Sequence, residues 1–306
     1  MDKTSRPIVA NPIVVTGIGR EVSPDVRDWL RGRVKDISAL DLSWDCKPVE
    51  YLRAKKTLKF MSKQDRLAVA AAGEALTDSG IEEQRLRLEC GVFIAVGYIP
   101  FAQENADKLI ALSQQDNRFS MKKFAAEGFH RINPLLAFSC LPNMPAHHIS
   151  VNFDLQGEYF VTYPDTLQFY LALSEAVERL QEGQMEFALV GGVADQTNFL
   201  VKHHYKKVNP ETVRFDADAA AFMVLERDDH ARARGSKPLM QLSSLALRYD
   251  ERTTSEDTSS PEITFGAADL PVWLSAFLQS PIYRFRHVYQ VNGFIAESTW
   301  EVLTNE

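Results

Sequence analysis

Cysteine and histidine are the residue types in this chain with the reactivity for nucleophilic, acid–base or metal chemistry. The three cysteines, Cys46, Cys90 and Cys140, are widely separated and form no CxxC pair, so neither a structural zinc site nor a disulfide framework is predicted. Cys140 ends the apolar run LLAFSC, and as a nucleophile it would need an activating histidine that no spacing identifies. A small buried hydrophobic residue is therefore the favoured interpretation of Cys140.

Two pairs of adjacent histidines invite a catalytic or metal-binding interpretation. His147 and His148 have no carboxylate close in sequence to orient an imidazole, so we favour packing or capping over catalysis. His203 and His204 lie in the stretch VKHHYKK, which lacks Cys, Asp or Glu at ligand spacing and indicates a surface patch in preference to a metal tract. The sequence predicts no metal site.

The same stretch is locally basic, because Lys202, Lys206 and Lys207 flank the second histidine pair. It is either a solvated face or a surface that receives an acidic partner protein. The glycine pair Gly191–Gly192 lacks the spacing of a dinucleotide or phosphate loop and indicates close packing after a strand. The sequence therefore predicts no cofactor.

The elements that must position these residues alternate between strand and helix. Short apolar, β-branched runs predict strands at residues 12–19, 90–97, 159–163, 187–192 and 222–226. Apolar residues at helical spacing, each run followed by a glycine, predict helices at 60–79 and 167–182. This alternation favours an α/β fold, with a mixed or parallel sheet that is covered by helices on both faces.

The C-terminal part has a different composition. The segment Asp250–Pro261 is polar, acidic and rich in Ser and Thr, which is typical of a surface loop or linker. After it we predict one helix at Asp269–Leu278 and two short strands at His287–Val291 and Trp300–Leu303. This part is thus predicted to be poorer in regular structure than the part before it.

Composition and charge exclude several function classes. The 306 residues are 45% hydrophobic and 25% charged, which is ordinary for a globular chain and argues against disorder. A formal net charge of −7 has the wrong sign for a protein held to nucleic acid by phosphate contacts. No apolar run approaches the ~18 residues of a membrane span, and the charged first residues predict no secretory signal, so a cytoplasmic location is expected.

Several sequence blocks resemble, in order and spacing, the β-ketoacyl synthases of the thiolase superfamily. The blocks are IVVTGIG, KFMSKQDRLAVAAAGEALTDSGI, NMPAHHISVNFDLQG and LSEAVERLQEGQMEFALVGGVAD, and the resemblance covers most of residues 12–240. It implies a thiolase-like, layered α-β-α-β-α fold with a truncated second half. The implied organisation is a ketosynthase-like N-terminal half at 1–240, with an excursion at about 100–142, and a shortened C-terminal half at 241–306.

The resemblance also implies where the catalytic residues of the family should lie. A condensing enzyme carries its acyl chain on a cysteine at the start of a buried helix, and gapless counting places Thr166 at that position. The first catalytic histidine of the family belongs to an HGT block that this chain lacks, and counting back from Phe265–Ala268 places Ile263 at the second. A nearby family lysine falls at about Thr258, and the glycine-rich gating loop corresponds to residues 292–297. No catalytic residue is therefore expected.

The absence of the family's catalytic cysteine and histidines resembles the chain-length factors. These are non-catalytic members of the family that pair with an active ketosynthase in type II polyketide synthesis. The shortened second half of the chain suggests the aryl polyene type. The resemblance implies a heterodimer, or a dimer of heterodimers, with that ketosynthase, and contact with an acyl carrier protein through the complex. Two alternatives stay open. One is a condensing or acyl-transfer enzyme that uses Thr166 or Cys140 in an unusual way, and the other is a homodimeric acyl-binding scaffold.

Three segments are predicted to serve such pairing. In the family, the equivalent of the strand at 159–163 pairs across the dimer axis, so the predicted partner-binding residues are Tyr159, Phe160, Val161, Thr162 and Tyr163. The predicted tunnel-shaping residues in the irregular region are Phe119, Phe124, Phe129 and Phe138. The predicted carrier-binding residues are Lys202, Lys206 and Lys207. The alternatives are an ordinary internal strand, core packing of the aromatics and a solvated basic face.

Overall fold

The computed structural model of the chain describes residues 11–99, 103–133, 136–208, 214–251 and 263–303. In these ranges the strands are β1 (Ile13–Val22), β2 (Cys90–Val96), β3 (Gln114–Gln115), β4 (Arg118–Phe119), β5 (Tyr159–Thr162), β6 (Phe187–Ala194), β7 (Phe215–Asp216), β8 (Ala219–Arg227), β9 (Met240–Tyr249), β10 (Ile263–Thr264), β11 (Arg284–Val291) and β12 (Phe294–Val302). The α-helices are α1 (Pro24–Leu30), α2 (Lys63–Asp78), α3 (Glu83–Glu89), α4 (Gln103–Ser113), α5 (Met121–Lys123), α6 (Leu136–Ser139), α7 (Met144–Phe153), α8 (Thr166–Gln181), α9 (Phe199–Val208), α10 (Asp228–Ala233) and α11 (Asp269–Phe277).

Eight of these strands form one mixed sheet in the order β11–β12–β9–β1–β8–β6–β2–β5. The strand β2 pairs in parallel with both β6 and β5, whereas the pairs from β6 across to β11 are antiparallel. Helices cover both faces, because α2 and α7 pack on one face and α8 and α11 pack on the other. The predicted α/β fold with a mixed sheet is confirmed.

The alanine-rich helix α2 lies unusually close to the first strand. A Cβ atom added to Gly17 or Gly19 of β1 would collide with the carbonyl oxygens of Ala75 and Ala71 in this helix. Ser62 caps the helix in a reciprocal pair with Asp65, and Gly80 follows its end with a positive φ of 62°. Small residues on both elements therefore set the short spacing between helix and sheet.

The helix α8 is enclosed by the sheet. It contacts β2, β5 and β6 near one edge of the strand order, and it also contacts β11 at the opposite edge. The sheet therefore curls around this helix, and fully buried side chains such as Phe169, Tyr170 and Leu173 fill the enclosed core.

The C-terminal part is richer in strand than predicted. The strand β9 was not predicted, because its half-buried sequence MQLSSLALRY places two serines among the apolar residues. The two predicted short strands are in fact the long hairpin β11–β12, which turns at Asn292 and Gly293 with φ of 50° and 82°. The residues assigned to a gating loop, 292–297, therefore form this tight turn and the beginning of β12.

The predicted excursion is a small unit beside the sheet. Its elements α4 and α5 and the π-helical turn Phe124–Gly128 pack mainly on one another, next to the short hairpin β3–β4. The division into halves at residue 240 stays a prediction, and β9, which begins at Met240, pairs with β1 in the common sheet. Among the helices of the described ranges, none combines the length and apolar character needed to cross a membrane.

Candidate functional site

The N-terminus of α8 is the position to which the sequence assigned the nucleophile of the family. Asp165 is the N-cap residue, and its Oδ1 accepts the backbone N–H of Thr166 at 2.7 Å. Thr166 is the first helical residue and is 3% exposed. An atom placed here lies in the favourable field of the helix dipole, which stabilises negative charge. The sequence therefore identified the start of a buried helix correctly.

The hydroxyl of Thr166 is committed to a backbone partner. Its Oγ1 donates to the carbonyl oxygen of Gly266 at 2.8 Å, in a bond that is buried. Gly266 has a positive φ of 53°, and a Cβ atom there would lie 2.8 Å from the side chain of Gln196. The Thr166 hydrogen bond thus holds the turn at Gly266–Ala268 against the start of α8. A residue larger than glycine at position 266 would strain this turn.

Ile263, at the predicted histidine position, lies three residues before Gly266. It is fully buried in β10, where it pairs in register with Phe215 and packs with Val22, Ala217 and Phe265. Its side chain offers no hydrogen-bonding group. The structure therefore brings the segment that contains Ile263, at the predicted position of the second histidine, close to Thr166, at the predicted position of the nucleophile. Thr258, at the predicted lysine position, and most of Asp250–Pro261 lie outside the described residues.

A chain of buried polar side chains lies beside Thr166, and sequence reasoning missed it. Tyr170, one helical turn after Thr166, has its hydroxyl 2.8 Å from Nδ1 of His287 and 3.1 Å from Oγ of Ser298. The other ring nitrogen of His287, Nε2, is 3.2 Å from Oδ2 of Asp269. Burial raises the pKa of Tyr170 above its ordinary value. Both nitrogens of this imidazole thus have partners other than Thr166.

The carboxylate nearest in sequence to Thr166 is also occupied. Tyr289 donates its hydroxyl to Oδ2 of Asp165 at 2.9 Å, while Oδ1 accepts the Thr166 amide. Burial, followed by the charge of Asp165, raises the pKa of Tyr289 above its ordinary range. Within the described residues, the hydroxyl of Thr166 has no hydrogen bond to an imidazole, amine or carboxylate that could take its proton.

The first histidine pair lies on α7, away from Thr166. His148 is 6% exposed, and its Nε2 is 3.8 Å from Oδ2 of Asp65 on α2, a carboxylate that the sequence order did not reveal. Burial, with the neighbouring His147, lowers the pKa of His148 to about 4, so this imidazole is neutral at pH 7. Burial raises the pKa of Asp65 to about 6. This pair belongs to the α2–α7 contact.

The second histidine pair and its lysines lie on α9. Lys202, Lys206 and Lys207 are exposed, and Nε2 of His204 is 3.1 Å from the hydroxyl of Tyr98. The described ranges contain no group of three His, Cys, Asp or Glu side chains close enough to hold a metal ion. The exposed patch that the sequence favoured is therefore present as one face of a helix.

The cysteines lie away from the start of α8. Cys90 is fully buried in β2, and burial raises the pKa of its thiol to about 12. Burial also raises the pKa of Cys46 to about 12, followed by the charges of Glu21 and Asp45. Cys140 is half-buried and, like the other two, forms no disulfide. Cys46 and Cys90 therefore remain protonated thiols at pH 7.

The predicted partner-binding strand, β5, is the last strand of the eight-stranded sheet. It pairs with β2 on one side, and its other edge pairs with no strand in the described part of the chain. Tyr159 is 66% exposed, and Phe160 and Tyr163 are 38% exposed. Beside it lies a surface cavity of about 530 Å³, whose lining includes Phe93 and Arg179. Within the described residues β5 is therefore an edge strand, and its role in partner binding stays a prediction.

The predicted tunnel-shaping aromatics are mostly exposed. Phe119, Phe129 and Phe138 are 64%, 66% and 54% exposed. Phe124 is half-buried and lies between two of them, with ring centroids 6.3 Å from Phe119 and 6.4 Å from Phe129. Core packing therefore does not explain the exposed three, of which Phe119 and Phe129 form an apolar surface together with Phe124.

Comparison with known proteins gives matches in sequence and in structure. The family model described as "Beta-ketoacyl synthase, N-terminal domain" matches residues 31–223. Nodulation protein E of Rhizobium sp. (strain N33) is 24% identical over 209 residues, which cover 64% of this chain and 49% of that protein. The 3-oxoacyl-[acyl-carrier-protein] synthase 2 of Vibrio harveyi is 23% identical over 261 residues, covering 78% and 57%. The chain thus spans about half the length of the curated relatives it matches.

Solved structures match over almost the whole chain. One is a type II polyketide synthase acyl carrier protein in complex with its ketosynthase bound to a hexaketide, with a TM-score of 0.70, 16% identity, and coverage of 96% of this chain and 99% of that chain. Another is the ishigamide ketosynthase/chain length factor, with a TM-score of 0.69, 14% identity, and coverage of 96% and 100%. At these identities the similarity establishes the fold.

Proposed function

The chain belongs to the β-ketoacyl synthase family, and on that premise we propose that it is the non-catalytic, chain-length-factor-like subunit of a ketosynthase pair. In this role it stabilises an active β-ketoacyl synthase and shapes the product tunnel of that partner, in polyene synthesis of the aryl polyene type or in polyketide synthesis. The observation that carries the proposal is the buried hydroxyl of Thr166, which is hydrogen-bonded to a backbone carbonyl where the family needs a thiolate.

The chemistry at this position explains why we do not assign a nucleophilic role to Thr166. A thiolate forms near neutral pH when a helix dipole and a neighbouring base lower the pKa of a cysteine. A threonine hydroxyl has no accessible anionic form near neutral pH and needs a strong base in contact. Asp165 is used by the Thr166 amide and by Tyr289, and Ile263 offers no polar atom. The described surroundings of Thr166 therefore favour a structural hydroxyl.

The proposed pairing uses the free edge of β5. An edge strand exposes backbone N–H and C=O groups that another strand can satisfy. The exposed rings of Tyr159 and Phe160 add apolar surface that a partner would bury. The exposed aromatics of the excursion, Phe119, Phe129 and Phe138, supply a second apolar surface that we assign to the wall of the partner's tunnel.

The proposed carrier contact uses α9. Its exposed Lys202, Lys206 and Lys207 form a basic face on a chain of net charge −7. A local positive face on an acidic protein attracts an acidic partner while the remainder repels it, which orients the encounter. The similar structures that contain a ketosynthase with a carrier protein or with a chain length factor support this assignment of partners.

Co-expression with a ketosynthase encoded in the same gene neighbourhood tests the proposal. We expect the two chains to co-purify as a one-to-one complex by native mass spectrometry. We also expect condensation of malonyl units by the complex and none by this chain alone. Condensation by this chain alone, or a ketosynthase whose stability and product lengths are unchanged by it, would contradict the proposal.

A second function is favoured by one observation. The Asp269–His287–Tyr170 chain places an imidazole next to the helix that begins with Thr166. A condensing or acyl-transfer enzyme that reorganises this chain on substrate binding would use Thr166 as the nucleophile. Under this alternative, His287→Asn abolishes activity of the isolated chain, whereas under the proposed function the isolated chain has no activity to lose. The homodimeric scaffold differs from both in remaining a homodimer when the ketosynthase is present.

A further inference from the structure

A surface cavity of about 690 Å³ lies between the C-terminal ends of α1 and α11. Its walls include Arg31 and Arg33 after the first helix, and Gln279 and Ser280 after the second. The two helices are held together by Trp29 and Trp273, whose rings meet edge to face at 5.6 Å. The cavity therefore lies where α1 and α11 pack together, and its walls contain no residue of α8.

Arg31 in the cavity wall, and Arg20 and Arg27 near it, form no ion pair within the described residues. In the described part of the chain, no carboxylate oxygen lies within ion-pair distance of Arg20, Arg27 or Arg31. Arg31 donates from Nε to Oε1 of Gln279 at 3.1 Å. Arg20 is 9% exposed and donates from its NH1 nitrogen to Oγ of Ser275, the neighbour of a residue in the cavity wall, at 2.9 Å.

The positive charges repel one another. Burial, followed by the charges of Arg27 and Arg31, lowers the pKa of Arg20 to about 10, although the charge of Glu74 raises it. Arg27 and Arg31 are four residues apart, a spacing at which like charges on a helix destabilise each other. The acid closest to Arg20, Glu74, accepts its backbone N–H instead of its guanidinium. Helix carbonyls at the ends of α1 and α11 supply only partial negative charge.

An anion with two charges matches this arrangement. Arg33 is already paired with Asp28 at 3.0 Å. The charges of Glu21 and Glu74 partly offset those of Arg27 and Arg20, so the surplus positive charge comes from Arg31 and, in part, from the other two arginines. A phosphate group accepts paired hydrogen bonds from a guanidinium and carries more charge than a carboxylate. The cavity is also larger than one phosphate ion needs, which leaves room for an attached organic group.

We propose that this cavity binds the phosphate group of a phosphoester, with Arg31 in direct contact and with Arg20 and Arg27 supplying the surrounding positive field. The site is independent of Thr166 and of the proposed pairing with a ketosynthase. The ligand is a free phosphomonoester, because the phosphate of a carrier-bound phosphopantetheine arm is a diester with a single charge. The probes below test whether an attached organic group adds to the binding of phosphate.

Calorimetric titration of the full chain with inorganic phosphate and with 4′-phosphopantetheine tests the proposal at matched ionic strength. We expect saturable binding that is weakened about tenfold or more by Arg31→Gln, as for loss of a charge-assisted hydrogen bond. The control Arg232→Gln removes an exposed arginine from the last turn of another short helix, α10, and we expect it to leave binding unchanged. Tighter binding of 4′-phosphopantetheine than of inorganic phosphate supports a contribution of the organic group, and equal binding supports recognition of the phosphate alone.

A second variant keeps the test decisive if Arg31→Gln folds poorly. Gln279→Glu gives Arg31 a carboxylate at the position of its present amide partner, so we expect a higher thermal midpoint without phosphate and weaker phosphate binding. Absence of saturable phosphate binding to the unmodified chain, or binding that neither Arg31→Gln nor Gln279→Glu weakens, would overturn the proposal.

Discussion

The hydroxyl of Thr166 and the carbonyl oxygen of Gly266 are joined by a buried 2.8 Å hydrogen bond between positions 100 residues apart. This bond ties the start of α8 to the turn before α11. It also commits the only proton of the hydroxyl to the backbone. The side chain that stands where the family carries a nucleophile therefore supports the fold, and its removal has a predictable cost.

Thr166→Val removes this bond and leaves the Gly266 carbonyl buried without that donor. We expect a loss of about 1–3 kcal/mol in the free energy of unfolding, measured by urea denaturation. The matched control is Thr77→Val, because Thr77 donates to Gly73 at the same 2.8 Å distance but is exposed. We expect the control to lose less than about 0.5 kcal/mol. Equal losses in the two variants would show that the Thr166 bond has no special structural role.

Stability should depend on the protonation of His148. The pKa of this imidazole is lowered from 6.5 to about 4 in the folded chain, so folding favours its neutral form. The resulting stability is fully present above pH 6.5 and is lost as the pH falls towards 4. The pKa shift corresponds to roughly 3 kcal/mol in the free energy of unfolding. His148→Asn lacks the imidazole, so between pH 6.5 and pH 4 its free energy of unfolding should fall less than that of the unmodified chain, by up to this amount.

The neighbouring Asp65 acts in the opposite direction. Its pKa is raised to about 6 when folded, so its contribution is fully present below its unfolded value of 3.8 and is lost as the pH rises through 6. The measurement is therefore the difference between the two chains in urea-denaturation series at pH 4, 5, 6 and 7. A difference that is constant across this range would contradict the assignment to His148.

The free edge of β5 should govern assembly. Tyr159→Lys places a charge on the edge strand, so we expect the dissociation constant of the complex with the ketosynthase to rise about tenfold or more. Tyr283→Lys is the matched control, because Tyr283 is 67% exposed and Tyr159 is 66% exposed. Analytical ultracentrifugation of each variant with the partner gives both constants. Equal weakening by the two substitutions would mean that assembly does not use β5.

The basic face of α9 should govern carrier binding. Replacement of Lys202, Lys206 and Lys207 by Glu should weaken binding of an acyl carrier protein to the complex by about tenfold and reduce its salt dependence. A control with the same change in net charge replaces three exposed lysines elsewhere, namely Lys35, Lys47 and Lys237. Titrations at low and high salt compare the variants. Similar weakening in the control would point to net charge in place of a local face.

The sequence predicted elements well where local signals agree. The helix α2 was predicted from its apolar periodicity and from Gly80, which follows the end of the helix in the structure. The structure adds a reciprocal cap between Ser62 and Asp65. The strand β9 was missed because half-buried serines weaken its apolar pattern. The hairpin β11–β12 was predicted too short because charged residues such as Arg286 and Glu297 pair with each other across its exposed face.

Contacts between distant segments account for what the sequence did not reveal at the site. His287 lies 117 residues from Tyr170, and only the curl of the sheet brings β11 to α8. The strand predicted at His287–Val291 is present within β11, but no local feature paired its histidine with a tyrosine on a helix. The Asp65–His148 contact likewise joins α2 to α7, which are far apart in the chain.

Intact-mass analysis of both subunits, after exposure of the complex to acyl carrier thioesters, shows which subunit carries the acyl chain. The account predicts an acyl adduct on the ketosynthase partner and an unmodified mass for this chain. Thr166→Val should leave this labelling pattern unchanged. An acyl adduct on this chain that peptide mapping places at Thr166, and that Thr166→Val removes, would contradict the account.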